Sequence, residues 1–130
     1  MRKDTEMGDR SLIVIESESL TEPVWLYGHY AGEDNLVAVK SVLARTDRLG
    51  DPSYLTAQLF YEFAVTLGGY DGNLGFGIGT GSVSLYEGDN PTVYLNADTG
   101  VYSHSYEDYA KAVTERLAEM EAEWRAKRHS

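Results

Sequence analysis

The sequence predicts an α+β domain: an antiparallel sheet of four to five strands with three helices packed on one face, in the order ββααβββα. Three observations carry that expectation. Strand-type runs outnumber helix-type runs, the two kinds are grouped instead of alternating, and most connections are short and rich in turn residues. A doubly wound parallel sheet needs strands and helices in alternation, which the chain lacks. The 130 residues make one domain, and a domain of that size buries roughly two-thirds of the surface its unfolded chain exposes. A hydrophobic content of 42% with 25% charged residues belongs to the globular class. We expect a flexible N-terminus over 1–10, a single domain over 11–126 and a frayed end over 127–130.

The elements follow in order. Residues 11–17 (SLIVIES) are short, β-branched and apolar, and residues 24–30 (VWLYGHY) are aromatic-rich, with Pro23 and a polar run between them, so a hairpin is expected. From Asp34 the period changes: Leu36, Val39, Val42 and Leu43 recur at helical spacing, Asp34 can cap, and Gly50 follows the end. Asp51-Pro52 then supplies a capping acid and a proline at the first helical position. Leu55, Leu59, Phe63 and Leu67 fall on one face of this second helix before Gly68-Gly69 stops it.

Beyond Leu74 the pattern is strand and turn. Residues 75–81 (GFGIGTG) alternate glycine with larger side chains, and residues 82–86 (SVSLY) and 92–96 (TVYLN) alternate apolar with polar. Gly88-Asp89-Asn90-Pro91 and Asp98-Thr99-Gly100 are turns, the second leading into a strand over 101–104, so 82–86, 92–96 and 101–104 form an antiparallel meander. Ser105 caps the last helix. In it Tyr106, Tyr109, Ala110, Val113, Leu117, Met120 and Trp124 repeat at steps of three and four.

Charge and composition bound the function. With 11 Lys+Arg against 21 Asp+Glu the net charge is -10, the wrong sign for direct nucleic-acid binding or for an anionic membrane surface. From Leu49 to Ala110 there is no Lys or Arg, so the middle of the chain is purely anionic. The absence of cysteine removes disulfides, thiolate metal sites and thiol nucleophiles, and fits a reducing cytoplasm. No apolar leader follows the polar start, and the longest uncharged stretch, 72–86, is too short and too glycine-rich to span a bilayer. A cytoplasmic protein is the expectation.

Candidate site residues are few. Gly75, Gly77, Gly79 and Gly81 invite comparison with a phosphate loop, in which glycines let backbone N–H groups approach an anion. A P-loop ends in Lys-Ser/Thr, and a dinucleotide fingerprint runs straight into a helix, whereas this segment runs on as strand. We therefore read a strand whose glycines permit a bulge or a close pass under a helix or aromatic ring, with a ligand on the glycine face as the alternative. His29 and His104 end strands that can reach the same edge of the sheet, and an acid such as Glu33, Asp34 or Asp108 would make either a general acid or base. No metal is expected from two histidines alone, no cofactor is expected, and HExxH and GxSxG are absent. Tyrosine, with 10 copies, is abundant, and suits protein interfaces. Tyr27, Tyr30, Tyr86, Tyr94 and Tyr102 join the two histidines as the binding candidates, Tyr86, Tyr94 and Tyr102 as a cross-strand row. Trp124, near the end of the last helix, needs cover either from the domain's own sheet or from a second subunit, the latter giving a homodimer through this helix.

The segments 25–32 (WLYGHYAG) and 51–60 (DPSYLTAQLF), with a helix between them, resemble a group of small uncharacterised non-virion proteins of tailed bacteriophages. In that group a strand ends in a Tyr-x-His-Trp-Asp-Gly type motif; here Tyr30 replaces the tryptophan and Ala31 the aspartate. The resemblance implies a non-virion accessory protein made inside an infected bacterium. Small size, missing catalytic motifs, abundant tyrosine and strong acidity lead us to expect that it acts in that cytoplasm by binding a host protein, in host takeover or anti-defence. The alternative from a different class is a sponge-like binder of a small ligand or nucleotide, and an enzyme using histidine and carboxylate ranks last.

Overall fold

The computed structural model describes residues 10–29, 34–67, 75–81 and 90–128. In chain order the elements are β1 (Ser11–Glu16), β2 (Val24–Gly28), α1 (Asp34–Arg45), α2 (Pro52–Phe60), a π-helical segment (Tyr61–Leu67), β3 (Phe76–Thr80), β4 (Val93–Asn96), β5 (Tyr102–Ser103) and α3 (Tyr106–Arg128). The fold class is α+β, with five strands, three helices and the expected order ββααβββα. The expected strand over 82–86, the Gly68-Gly69 stop, Tyr30, Tyr86, His129 and the terminal segment 1–9 lie outside the described residues.

The sheet is mixed where an antiparallel one was expected. Its order is β3-β2-β1-β4-β5. β1 pairs antiparallel with β2 but parallel with β4, from Ile13 opposite Val93 to Glu16 opposite Asn96. The reason lies in β1, whose residues from Ser11 to Ile15 are all buried. So apolar a strand is best placed at the centre, with a partner on each side. The glycine strand β3 pairs with β2 and not with β4, whereas β4 and β5 pair antiparallel, as expected of the last two strands.

The helices also divide between the two faces instead of sharing one. Side chains alternate along a strand, so Ile13, Ile15, Leu26, Val93 and Leu95 face one way and form the core with Val39 and Val42 of α1 and Leu55 and Leu59 of α2. Leu12 and Val14 face the other way, beside their cross-strand partners Tyr27, Trp25 and Tyr94. α3 lies on this second face, where Tyr94 packs against Tyr106 and Tyr109 with ring centroids 5.0 and 5.9 Å away.

Polar residues fix the joints. Buried Asn35 donates from Nδ2 to the carbonyls of Leu12 (3.1 Å) and Pro91 (2.8 Å), tying the start of α1 to two strand ends. The Asn96 side-chain oxygen accepts from the amides of Asp98 and Thr99 and from the Thr99 hydroxyl, which shapes the turn into β5. Asp51 caps α2 by accepting from the Tyr54 amide, with Pro52 in the first helical position, and Ser105 caps α3 by accepting from the Asp108 amide. α1 stops at Arg45, short of Gly50, whose φ of 92° forms a separate left-handed turn.

The second helix widens into its π-helical turn after Phe60. The apolar stripe Leu55, Leu59, Phe63 steps by four, and each such step drifts about 40° around an α-helix of 3.6 residues per turn. A wider turn cancels that drift. Phe63 is accordingly fully buried, edge-on to Phe76 of β3 at 5.8 Å between centroids.

The glycines of β3 have distinct roles. A Cβ on Gly79 would lie 2.2 Å from the Trp25 ring, whereas one on Gly77 would meet nothing within 4 Å. Trp25 thus lies across Gly79, the close aromatic pass expected from the sequence. We predict that Gly79→Ala lowers stability by about 1–3 kcal/mol through overpacking. Gly77→Ala, which relieves the backbone entropy of glycine in a strand, should be neutral or stabilising by up to about 1 kcal/mol. Urea denaturation of both variants measures the contrast.

Candidate functional site

The residues singled out in the sequence fall into three places. Tyr27, His29, Gly75 and Gly77 come together where β2 meets β3. The Tyr27 hydroxyl lies 2.7 Å from His29 Nδ1, the His29 amide donates to the Gly75 carbonyl at 2.7 Å, and Tyr27 stands opposite Gly77 in the ladder.

The glycine strand does not offer its amides to a ligand. Gly81 donates to the Pro23 carbonyl at 3.0 Å, and the register pairs Gly77 and Gly79 with Tyr27 and Trp25. In an antiparallel ladder, bonded and non-bonded pairs alternate. With His29–Gly75 and Pro23–Gly81 both bonded, the carbonyl of Gly75 and the amides of Gly77, Gly79 and Gly81 are directed at β2. The amides of Gly77, Gly79 and Gly81 are therefore spent in the sheet.

Tyr94 and Tyr102 do not form a row. Tyr94 stands opposite Ser103, and Tyr102 opposite Leu95. That one-residue offset sends their rings to opposite faces. Tyr102 packs on the core with α1 and α2, while Tyr94 joins Tyr106 and Tyr109. His104 is exposed beyond β5, at the same end of the sheet as His29. Three strand spacings separate their strands, roughly 14 Å at 4.8 Å each. Among the described residues no group of three His, Asp or Glu side chains is placed to hold a metal ion.

Three features went unread in the sequence. The π-helical turn brings Glu62 into a buried position, where its carboxylate accepts from Arg45 Nη2 at 2.5 Å and from the Ser41 hydroxyl at 3.3 Å. Arg45 is thereby tied to α2, beside a shallow cleft of about 280 Å³ lined by Val42, Ala57, Gln58 and Tyr61. A second cleft of about 490 Å³ opens between β2, β3 and the start of α2, lined by Leu20, Val24, Pro52, Thr56 and Ile78 among others. The third is how far α3 outruns the sheet. Tyr109 is its one buried residue among those described, and every residue over 121–128 is exposed.

The apolar stripe of α3 therefore runs from cover into solvent. Val113 and Met120 are half-buried, while Leu117 is 44% exposed and Trp124 56%. Arg116 bridges Glu119 and Glu123 at 3.1 and 3.4 Å, and Arg128 stacks 4.8 Å from the Trp124 ring. Such surface pairs add little stability, and leave the stripe open.

Tyr109 anchors the helix. Its hydroxyl donates to Glu16 at 2.9 Å. Burial first, and then the neighbouring carboxylate, raise this phenol well above its ordinary value of 10.0. The unfolded chain releases this proton above pH 10 while the folded chain keeps it, so the contribution is whole below the unfolded value and declines as pH rises beyond it. We predict that Tyr109→Phe costs about 1 kcal/mol near neutrality by removing the hydrogen bond. The gap between wild type and variant should stay constant up to about pH 10 and narrow steadily above it in denaturant titrations.

No helix among the described residues is long and apolar enough to cross a membrane. No protein-family model matches the chain, and no match is found among curated proteins or solved structures.

Proposed function

We propose that the protein acts by binding another protein, as a small acidic accessory factor of phage type directed at a protein of the host cytoplasm, and that it performs no catalysis. The observation that carries this reading is the bare stripe on the projecting half of α3, where Leu117 and Trp124 stand exposed on one line with Met120. Tryptophan is among the residues most enriched as anchors of protein interfaces. The net charge of -10 favours a partner with a basic surface and speeds the encounter. The sponge-like alternative has less support, because the amides of Gly77, Gly79 and Gly81 are bonded to β2 and the clefts beside Arg45 and Ile78 are open.

The test is capture from bacterial cytosol by the tagged protein, repeated with Leu117→Ser/Trp124→Ser. Both side chains are largely exposed, so the double variant should keep the wild-type melting profile. It should bind the captured partner at least about 30-fold more weakly, the loss expected for about 2 kcal/mol at an interface anchor. Unchanged capture would exclude α3 as the binding element. Sedimentation of the purified protein distinguishes self-pairing through the same stripe, which would yield a dimer that the double variant abolishes.

A further inference from the structure

The outer side of β3 presents a second surface, separate from α3. Because the glycines of this strand turn their backbone groups to β2, the intervening residues turn theirs away from it. The amides and carbonyls of Ile78 and Thr80 therefore point outward from the last strand of the sheet, and no strand among the described residues meets them.

Proteins ordinarily guard such an edge with charge, proline, a bulge or very short length. β5, at the opposite edge, has only two residues and is followed at once by α3. β3 has none of the other devices: its sequence is FGIGT, and its register with β2 is unbroken from Val24 opposite Thr80 to Gly28 opposite Phe76. Its side chains are arranged for company. Ile78 is 54% exposed on the helix face, at the mouth of the cleft that runs to Pro52 and Thr56. On the other face Gly77 leaves open space.

The charge around the edge selects the occupant. The chain from Leu49 to Ala110 holds no cation, Glu22 lies beside Gly81, and Asp51 caps α2 next to the cleft. A second copy of the chain would bring the same negative field against itself.

We propose that β3 is a strand-addition site, at which an extended basic segment of a partner protein pairs antiparallel with Ile78 and Thr80. Every second side chain of that segment is apolar and enters the cleft beside Ile78. The alternate side chains are Lys or Arg, whose stems lie over the glycine face. Main-chain bonds supply affinity and the cleft supplies selectivity, as in other strand-addition interfaces. The site goes beyond the α3 reading, and either can fail without the other.

The probe is a capped Lys-Val-Lys-Val-Lys-Val peptide carrying a fluorophore, titrated with the full-length protein and followed by anisotropy. In an antiparallel pairing with Val opposite Ile78, the valine N–H groups face β3 and the lysine N–H groups face solvent. Methylating one central valine nitrogen should weaken binding about tenfold or more, and methylating the adjacent lysine nitrogen less than about threefold. Ile78→Lys should abolish binding with its circular dichroism unchanged, and Trp124→Ser should leave binding intact. The proposal is overturned if the parent peptide does not bind, if the two methylated peptides bind alike, or if a Glu-Val repeat binds as well. A dimer dissolved by Ile78→Lys would likewise overturn it, by showing that a second copy takes the edge.

Discussion

β1 is hydrogen-bonded on both sides and buried along its length, and the rest of the molecule is arranged around that constraint. A strand so placed cannot leave either face to water. One face is covered by α1 and α2, which bring Val39, Val42, Leu55 and Leu59 onto Ile13 and Ile15. The other carries cross-strand aromatics and the start of α3. Asn35, bonded to the Leu12 carbonyl, and Ala97, whose amide donates to Glu16, tie the neighbouring segments to the two ends of the same strand. With the centre occupied, the edges fall to β3 and β5.

The two proposed binding surfaces lie where this covering runs out. α3 is needed only as far as Tyr109 and its neighbours to close the second face, and the remaining turns carry the apolar stripe past the sheet. β3 is needed to pair with β2 and to place Phe76 against Phe60 and Phe63. Its outer side serves no purpose within the described fold. Exposed aromatic and β-branched side chains and open backbone groups are costly to leave in water and invite association. A net charge of -10 opposes the approach of like-charged surfaces and favours basic ones.

Local chemistry was legible in the sequence and long-range pairing was not. Asp51-Pro52 and Ser105 marked helix starts because capping depends on adjacent residues alone, and the α3 stripe was visible because its period is regular. The apolar run of β1 suits it to the centre, but which strand pairs with its second side, and in which direction, is a long-range choice that no local pattern records. Tyr94 and Tyr102 looked equivalent as members of successive strands, yet a register offset of one residue parts them. The burial of Glu62 follows from a helix that changes its turn to keep Leu55, Leu59 and Phe63 in line. The glycine strand showed that close approach was needed, but only the bonds from Gly75 and Gly81 show which way its amides point.

That direction underlies both the loss of the phosphate-cradle reading and the assignment of an open edge. Residue-resolved hydrogen exchange of the free protein reads it most directly. Gly77, Gly79 and Gly81 should exchange slowly as members of the β2–β3 ladder, and Ile78 and Thr80 in the same strand should exchange fast. Protection of Ile78 and Thr80 equal to that of the glycines would mean that the edge is already covered, and would contradict the account.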